Sequence, residues 1–284
     1  MSHDDFPAGS VWLVGAGPGD PELLTRKAER LLGLADIVFH DALVGPQILA
    51  LAADRAQQIS VGKRSGRHSM DQRTIHRLLI EASLAGHRVV RLKGGDPSIF
   101  GRSAEEVTAL NEAGIRVRIC AGVTAASAAA ASAGLSLTLR NEVRNLTILT
   151  AHASAGKPLD LDWPALAGKH SGLAIYMGRN AAPEIARNLI AAGLALDTPV
   201  LIAVDVSLPS ERLIRGQLGS MGFLVKSVSE DDPTLLLIGA MVGQPKYPSN
   251  HGEGVLAMSA SSIGQKLFSG VTFPLAGRAT TAFG

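Results

Sequence analysis

The segment Val11-Trp-Leu-Val-Gly-Ala-Gly-Pro-Gly-Asp20 joins a short apolar run to a glycine-rich turn. An apolar run of this length, bounded by glycine, is typical of a buried β-strand. Asp20 suits the residue before a helix and Pro21 suits its first position, so a helix is predicted from about Pro21. The apolar residues that would share its buried face are Leu24, Ala28, Leu31, Leu32 and Ala35.

The same alternation of short apolar runs and amphipathic stretches continues to residue 120. It predicts an open parallel sheet with helices on both of its faces. Helices are expected near Gln72–Ala85 and Ala104–Glu112. The further strands expected in this half are Ile37–Phe39, Ile59–Val61, Val89–Leu92 and Val117–Ile119.

A second α/β unit is predicted after the stretch Gly122–Gly134, which is rich in small residues and in which Thr124 would cap a helix. A helix over about Ala182–Ala192 and a mixed sheet are expected, because Arg212–Leu218 alternates like an antiparallel strand. The other strands expected there are Leu146–Leu149, Leu173–Tyr176, Pro199–Val204 and Leu235–Ile238. We therefore predict an N-terminal α/β domain over residues 10–121, a C-terminal α/β domain over 122–245 and a tail over 246–284, with a ligand cleft between the domains.

Composition excludes several classes of function. Hydrophobic residues make up 46% and charged residues 18% of the 284 residues, as in a globular protein. The net charge of +2 and the 4% aromatic content argue against a nucleic-acid partner. The single cysteine, Cys120, and the irregular histidine spacing predict no metal site. No export signal and no apolar run of membrane-spanning length is visible, so the expected location is the cytoplasm, away from the membrane.

The turn Gly15-Ala-Gly-Pro-Gly-Asp20 invites comparison with the dinucleotide-binding fingerprint, which also follows a strand and opens a helix. Asp20 stands where that fingerprint requires a third glycine, and Pro18 interrupts the usual turn. On this segment alone, three interpretations remain open: a dinucleotide-dependent oxidoreductase, a site for another ligand, and a plain tight turn.

The segment Arg91-Leu-Lys-Gly-Gly-Asp-Pro-Ser-Ile-Phe-Gly-Arg-Ser-Ala-Glu-Glu106 is more informative. Two adjacent glycines directly after a strand remove the side chains that would keep a ligand away from the backbone. Asp96 is able to accept hydrogen bonds from ligand hydroxyl or amino groups, and Pro97 stiffens the loop. We interpret this loop as part of a ligand site.

Six segments in this order resemble the uroporphyrinogen III C-methyltransferases of the tetrapyrrole methylase superfamily, from Val11 to about Val242. The segments are Leu13–Asp20 with Leu23-Leu-Thr25, Asp41-Ala-Leu-Val44, Val61-Gly-Lys-Arg64 with His68 and Gln72, Arg91–Glu106, Gly122-Val-Thr-Ala-Ala126 and Tyr176-Met-Gly178.

The resemblance implies an enzyme that methylates uroporphyrinogen III twice, giving precorrin-2, and that works as a homodimer. S-adenosylmethionine would be the methyl donor and S-adenosylhomocysteine the spent product. The donor site it implies comprises Pro18, Gly94, Gly95, Asp96, Ile99, Thr124, Ala125, Met177 and Val206.

The resemblance also implies roles for charged residues. Asp41 and Lys63 match the proposed proton acceptor and donor of the family. The acid-rich macrocycle requires cations, and guanidinium groups pair with carboxylates through two parallel hydrogen bonds. The substrate-binding residues implied are Arg64, Arg102, Glu105 and Arg140.

The chain departs from the family pattern at three places. His40 replaces a tyrosine, Leu139 and Asn141 replace a histidine and an aspartate around Arg140, and Ser103-Ala104 replaces two glycines. These departures leave open a later precorrin methyltransferase and a tetrapyrrole-binding protein without activity.

Overall fold

The computed structural model describes residues 5–62, 70–151 and 159–243. The predicted tail, residues 246–284, lies outside the described residues.

The first half of the chain forms the predicted parallel sheet. Its five strands are arranged in the order β3-β2-β4-β1-β5, and every neighbouring pair is parallel. The strands are β1 (Val11–Gly15), β2 (Ile37–His40), β3 (Gln57–Ser60), β4 (Val89–Lys93) and β5 (Val117–Cys120). The third strand begins two residues earlier than expected, because the edge position of β3 tolerates the exposed polar residues Gln57 and Gln58.

Helices connect these strands across both faces of the sheet. They are α1 (Arg26–Leu34), the short α2 (Pro46–Leu49), α3 (Gln72–Leu84) and α4 (Ser103–Glu112). The prediction of one helix from Pro21 was wrong: Pro21–Leu23 forms a 3-10 turn, and α1 starts only after Thr25. The Thr25 hydroxyl accepts a hydrogen bond from the Ala28 N–H, which makes Thr25 the cap of a new helix.

The buried apolar residues divide by face. Leu31 and Leu32 of α1 pack in one cluster with Val14 of β1 and Leu92 of β4. On the opposite face, residues of α3 and α4 pack against alternate strand residues: Ile75, Leu79, Leu110, Val11, Leu13, Phe39 and Val89. The helix that follows β1 and the helix that follows β4 therefore cover opposite faces of the sheet.

The second half forms the predicted mixed sheet, in the order β6-β7-β10-β8-β9. Only the β6–β7 pair is parallel, and the expected antiparallel strand over Arg212–Gln217 pairs with β8. The strands are β6 (Asn145–Thr150), β7 (Ser171–Tyr176), β8 (Pro199–Val204), β9 (Arg212–Gln217) and β10 (Thr234–Ile238). The α-helices here are α5 (Ala125–Ser132), α6 (Trp163–Leu166), α7 (Ala182–Ala191) and α8 (Met221–Leu224), with 3-10 turns at Leu218–Ser220, Val225–Ser227 and Ala240–Gly243.

Helix α5 joins the two sheets. Its alanines pack in a cluster with Leu235 and Leu237 of β10, and Leu23 and Val123 from the loops of the first sheet pack against the same cluster. Small side chains permit this close packing, since Ala126, Ala128, Ala129 and Ala130 are all buried. The stretch that the sequence marked as a boundary is thus a packed connection.

Candidate active site

The loops that follow the strands of the first sheet share one edge, because all five strands run in the same direction. Ligands of open parallel sheets bind outside the carboxyl ends, where neighbouring connections leave toward opposite faces. Here that point lies between β1 and β4, because α1 and α4 cover opposite faces. The two glycine-rich loops singled out by the sequence therefore flank the same crevice.

Three glycines bring the backbones of β1, β4 and β5 into contact at this edge. A Cβ atom on Gly15 would lie 2.5 Å from the Gly122 Cα and 2.7 Å from the Gly95 carbonyl oxygen. A Cβ atom on Gly122 would lie 2.2 Å from that same oxygen. No side chain fits at Gly15 or Gly122 without moving backbone, so these glycines are required by packing.

Gly94 and Gly95, by contrast, leave room for an added Cβ atom. The Gly95 N–H donates to the Gly17 carbonyl over 2.7 Å, and the Gly17 N–H donates back over 3.2 Å, which ties the two loops together. Gly95 has φ +67°, and an added Cβ there would meet no atom within 4 Å. At Gly94 the nearest atom would be the Leu43 Cβ at 3.5 Å. The loop thus presents uncovered backbone that a ligand is able to approach.

Asp96 organises this loop. One carboxylate oxygen accepts the Ser98 N–H at 2.7 Å and the other accepts the Gly122 N–H at 2.9 Å. The Asp96 carbonyl accepts the Ile99 N–H at 3.1 Å. Each carboxylate oxygen keeps a second lone pair for a ligand, but the observed bonds link the loops after β4 and β5.

The carboxyl ends of β7 and β8 meet this edge from the second sheet. The Tyr176 hydroxyl contacts the Thr124 hydroxyl and accepts the Ala126 N–H at 3.0 Å, and its ring centroid lies 5.3 Å from that of Phe100. Thr124 is the N-cap residue of α5, as expected, but its hydroxyl bonds Tyr176 and no N–H of its own helix. Thr124 and Ala125 consequently lie between the two sheets.

The loop after β8 lies against the glycine turn after β1. The Asp20 N–H donates to the Ser207 hydroxyl over 3.0 Å, and a Cβ on Gly19 would lie 2.4 Å from Leu208. Val206 is buried in the cluster that contains α5, and Pro18 is partly exposed in the turn.

Several non-glycine residues at this junction have positive φ: Phe100, Arg102, Met177, Asp205 and Ser207. Such backbone strain concentrates at functional sites. Met177, directly after β7, combines φ 54° with a half-exposed side chain.

A buried ionic cluster supports Asp41. The Arg91 guanidinium donates to the Asp41 carboxylate and, through Nε, to the Glu106 carboxylate at 3.1 Å. The Lys93 ammonium donates to both Glu106 oxygens, at 3.0 and 3.1 Å. Only Asp41 of these four reaches solvent appreciably: its side chain is 30% exposed, against 4% for Arg91 and Lys93 and 0% for Glu106.

Strand periodicity explains the cluster. Arg91 and Lys93 alternate with Val90 and Leu92, so both point to the face covered by α3 and α4, where Glu106 lies. Burial lowers the pKa of the Lys93 ammonium, and the neighbouring Arg91 lowers it further, while Glu106 opposes both effects. Gln72 of α3 adds a hydrogen bond to Glu106 at 3.4 Å.

The loop after β3 also confines Asp41. A Cβ on Gly62 would lie 1.9 Å from the Ala42 nitrogen and 2.7 Å from the Asp41 carbonyl carbon. The residues that follow Gly62 include two predicted site residues, Lys63 and Arg64, and both lie outside the described residues, as does His68. His40, one of the departures from the family pattern, places Nδ1 3.1 Å from the Asp41 carbonyl oxygen.

Arg102 and Glu105 form an exposed pair at the start of α4. Arg102 donates through Nε and Nη2 to the two Glu105 oxygens at 2.7 and 2.6 Å. The hydrogen bond from Arg102 holds the pKa of Glu105 below its usual range. The neighbouring departure Ser103 is buried, and its hydroxyl donates to the Pro97 carbonyl at 2.5 Å, which closes the loop onto the helix.

Arg140 is exposed in the turn before β6, between Leu139 and Asn141. Asn141 has φ 71°, a conformation that asparagine tolerates well, and Leu139 pairs with Val143 across the turn. Within the residues that the structure describes, the carboxylates of Asp41 and Glu105 bond Arg91 and Arg102, and neither bonds Arg140.

Neither a metal-binding cluster nor a membrane-spanning helix is present within residues 5–62, 70–151 and 159–243. No group of three or more His, Cys, Asp or Glu side chains there is placed to hold a metal ion. Each helix in the described ranges is too short or too polar to cross a bilayer.

The observed arrangement is that of a two-sheet α/β protein with its glycine-rich loops gathered at the carboxyl edge of the parallel sheet. A family model, Tetrapyrrole (Corrin/Porphyrin) Methylases, matches residues 10–222. The chain belongs to this family. Membership excludes the dinucleotide-dependent oxidoreductase left open by the first glycine loop.

Curated relatives carry the name siroheme synthase. That of Nitrosomonas europaea is 41% identical over 241 residues, which cover 85% of this chain and 50% of the relative. That of Zymomonas mobilis is 44% identical over 243 residues, which cover 86% and 51%. The chain thus spans about half the length of the curated relatives it matches.

Solved structures share the fold. A uroporphyrin-III C-methyltransferase from Thermus thermophilus, in complex with S-adenosylhomocysteine, has a TM-score of 0.69 and 37% identity, covering 82% of this chain and 93% of that one. A cobalt precorrin-4 methyltransferase has a TM-score of 0.75 but 26% identity, covering 84% and 97%. Of these two, the precorrin-4 methyltransferase has the more similar backbone, and the uroporphyrin-III C-methyltransferase has the more similar sequence.

Sequence reasoning missed the buried members of the site, Arg91, Lys93 and Glu106. A signal was present, because two cations stand on one face of a strand that is central in a parallel sheet. Such strands are buried on both faces, so these charges required a buried partner. The sequence did not indicate that Glu106, and not its neighbour Glu105, is that partner.

Proposed function

We propose that this chain transfers methyl groups from S-adenosylmethionine to ring carbons of uroporphyrinogen III, twice, giving precorrin-2. The observation that carries the proposal is the uncovered Gly94–Gly95 backbone at the crevice between β1 and β4, together with an Asp41 carboxylate that follows the neighbouring strand β2 and is held by buried Arg91. The identity of 37% to a uroporphyrin-III C-methyltransferase bound to S-adenosylhomocysteine supports the choice of donor and substrate.

The donor fits the residues at this crevice. An adenosyl sulfonium has no pyrophosphate, so the absent third glycine of the dinucleotide fingerprint is no obstacle. Pro18, the Gly94–Asp96 loop and Ile99 would hold it from the first sheet. Thr124, Ala125, Met177 and Val206 would hold it from the second-sheet side. When bound, S-adenosylmethionine supplies an electrophilic methyl group.

The chain would contribute mainly by positioning. Holding two reactants in line is worth roughly 7–11 kcal/mol of barrier in favourable cases. The open space at Gly95 allows close approach, and the Gly17–Gly95 hydrogen bonds keep the loop in place. The two sheets, predicted as domains over residues 10–121 and 122–245, would form the walls of the cleft.

Asp41 would accept the proton that the ring system loses as the methyl group arrives, with Lys63 as the proposed donor. Arg91 fixes one Asp41 oxygen and leaves the other available, because its hydrogen bond reaches Oδ1 only. We place Arg64, Arg102 and Arg140 as partners of substrate carboxylates, with Glu105 orienting Arg102 through its paired hydrogen bonds.

The test is incubation with uroporphyrinogen III and S-adenosylmethionine carrying a labelled methyl group. A doubly labelled tetrapyrrole with the mass of precorrin-2 is expected. Absence of label from tetrapyrrole, with the donor still bound, would refute methyl transfer. The same assay on Asp41→Ala separates an enzyme, which loses turnover and keeps donor affinity, from a carrier.

A later precorrin methyltransferase is the second candidate, favoured by the TM-score of 0.75 to a cobalt precorrin-4 methyltransferase. We prefer uroporphyrinogen III, because substrate choice depends on side chains and the identity is 37% against 26%. Offering both tetrapyrroles to the protein in one competition assay decides between them by the mass of the labelled product.

We also propose that the chain acts as a homodimer in the cytoplasm, on the strength of its family resemblance. Light scattering of the purified protein tests the assembly. A monomer at assay concentration that retains full turnover would contradict it.

A further inference from the structure

Burying the ionic cluster behind Asp41, which comprises Arg91, Lys93 and Glu106, costs free energy. Removing a charged group from water costs several kcal/mol even after relaxation, and replacing a buried ion pair by apolar residues is often neutral or stabilising. Arg91, Lys93 and Glu106 are nevertheless all buried, with exposed fractions of 3%, 3% and 0%. Stability alone therefore does not account for the cluster.

The geometry of the cluster leads to Asp41. Phe39 pairs with Arg91 in the β2–β4 register, and Asp41 follows two residues later, so a long side chain on β4 reaches the end of β2. Arg91 donates to Glu106, to the Leu92 carbonyl and to Asp41. Three separate acceptors fix a planar guanidinium, which a lysine ammonium would not reproduce.

Glu106 holds Arg91 in that position. It is fully buried, accepts from Arg91 and Lys93, and also receives the Gln72 side chain. Without its carboxylate, two buried cations would lie next to each other on the same face of β4. Lys93 is itself confined, since its Cε would lie 3.1 Å from a Cβ on Gly101.

Building on the proposed function, we propose that Glu106 is a positioning residue for methyl transfer: it orients buried Arg91, which in turn orients the Asp41 carboxylate toward the substrate. Glu106 touches neither substrate nor donor. Its effect on the reaction is therefore transmitted through Arg91 to the Asp41 carboxylate.

The test is a double-mutant cycle between Glu106→Gln and Asp41→Asn in the full chain. Glu106→Gln keeps the shape and removes the charge, and we expect kcat to fall roughly 10- to 100-fold, as for a small misplacement of a reacting group. Affinity for S-adenosylhomocysteine, measured by calorimetry, should change less than about twofold. In the Asp41→Asn background, Glu106→Gln should reduce kcat by no more than about threefold further, since interacting residues are not additive.

Two controls keep the result interpretable. Glu81→Gln makes the same change in an exposed pair with Arg77 on α3 and should leave kcat unaltered. If Glu106→Gln does not fold, the double variant Lys93→Met/Glu106→Leu removes a neutral pair and is expected to fold, because apolar replacement of a buried pair is tolerated. That variant should show the same loss of kcat.

Unchanged kcat in either Glu106 variant, or a full multiplicative loss in the Asp41→Asn background, would overturn the positioning role. Unchanged kcat in Asp41→Asn itself would overturn it too, while methyl transfer would stand. A crystal structure of Glu106→Gln tests the inference independently of methylation activity. If the Asp41 carboxylate still bonds Arg91 in that structure, the inference is refuted, whether or not the wild-type chain methylates a tetrapyrrole.

Discussion

Two glutamates adjacent in sequence on α4 have opposite surroundings. Glu106 points to the sheet and holds two buried cations, whereas Glu105 points to solvent and pairs with exposed Arg102. Helical geometry separates neighbouring residues by about 100°, so one turn serves both the interior and the surface. The comparison shows that two adjacent glutamates differ in role: one is a buried charge that holds two cations, and the other is an exposed charge that pairs with a surface arginine.

The largest effect is expected where the buried cluster reaches solvent. Asp41→Asn keeps the shape but removes the carboxylate that we propose as the proton acceptor, so kcat for methylation should fall about 10²- to 10⁴-fold. Affinity for S-adenosylhomocysteine should stay near the wild-type value. Single-turnover kinetics with labelled donor measures the step, and a kcat within about threefold of wild type would remove Asp41 from the chemistry.

Replacing each of the two glutamates should change the free energy of unfolding by very different amounts. Glu106→Leu leaves Lys93 buried without a counter-charge and Arg91 with Asp41 as its remaining partner, and breaking such a buried pair costs about 3–5 kcal/mol. Glu105→Leu removes only a solvated pair and should leave the urea midpoint close to wild type. Urea unfolding of both variants makes the comparison, and equal midpoints would show that the cluster is not an energetic unit.

Two glycines, Gly122 and Gly33, allow a similar comparison between a crowded position and one with free space. Gly122→Ala places a Cβ 2.2 Å from the Gly95 carbonyl oxygen, an overlap that should cost about 1–3 kcal/mol and weaken donor binding. Gly33→Ala is the matched control, because an added Cβ on α1 would meet no atom within 4 Å. It should stabilise the chain by about 0.5–1 kcal/mol. Thermal unfolding with and without S-adenosylhomocysteine tests both.

The smallest effect on stability is expected at Arg102. Arg102→Gln removes an exposed cation, so the melting temperature should hardly move, while KM for the tetrapyrrole should rise several-fold through the lost carboxylate contact. Steady-state kinetics at two salt concentrations provides the check, because a carboxylate contact at the surface weakens with ionic strength. An unaltered KM would show that Arg102 makes no contact that contributes to substrate binding.

Periodicity was sufficient for the architecture. The five strands of the parallel sheet and the antiparallel strand over Arg212–Gln217 followed from apolar spacing alone. The helix expected from Pro21 was wrong, because Thr25 caps a new helix there. Thr124 is the N-cap residue of α5 as expected, but its hydroxyl bonds Tyr176 and not its own helix.

For the site, sequence alone determined which loops carry glycine, acid and base, because each motif follows a strand whose end the hydrophobic pattern locates. Only the tertiary structure decided which of those residues meet. The contacts of Asp41 with Arg91, Thr124 with Tyr176 and Gly122 with Gly95 each join segments distant in the chain. Such contacts depend on strand order and on which helix covers which face, and local spacing along the chain contains no information about either.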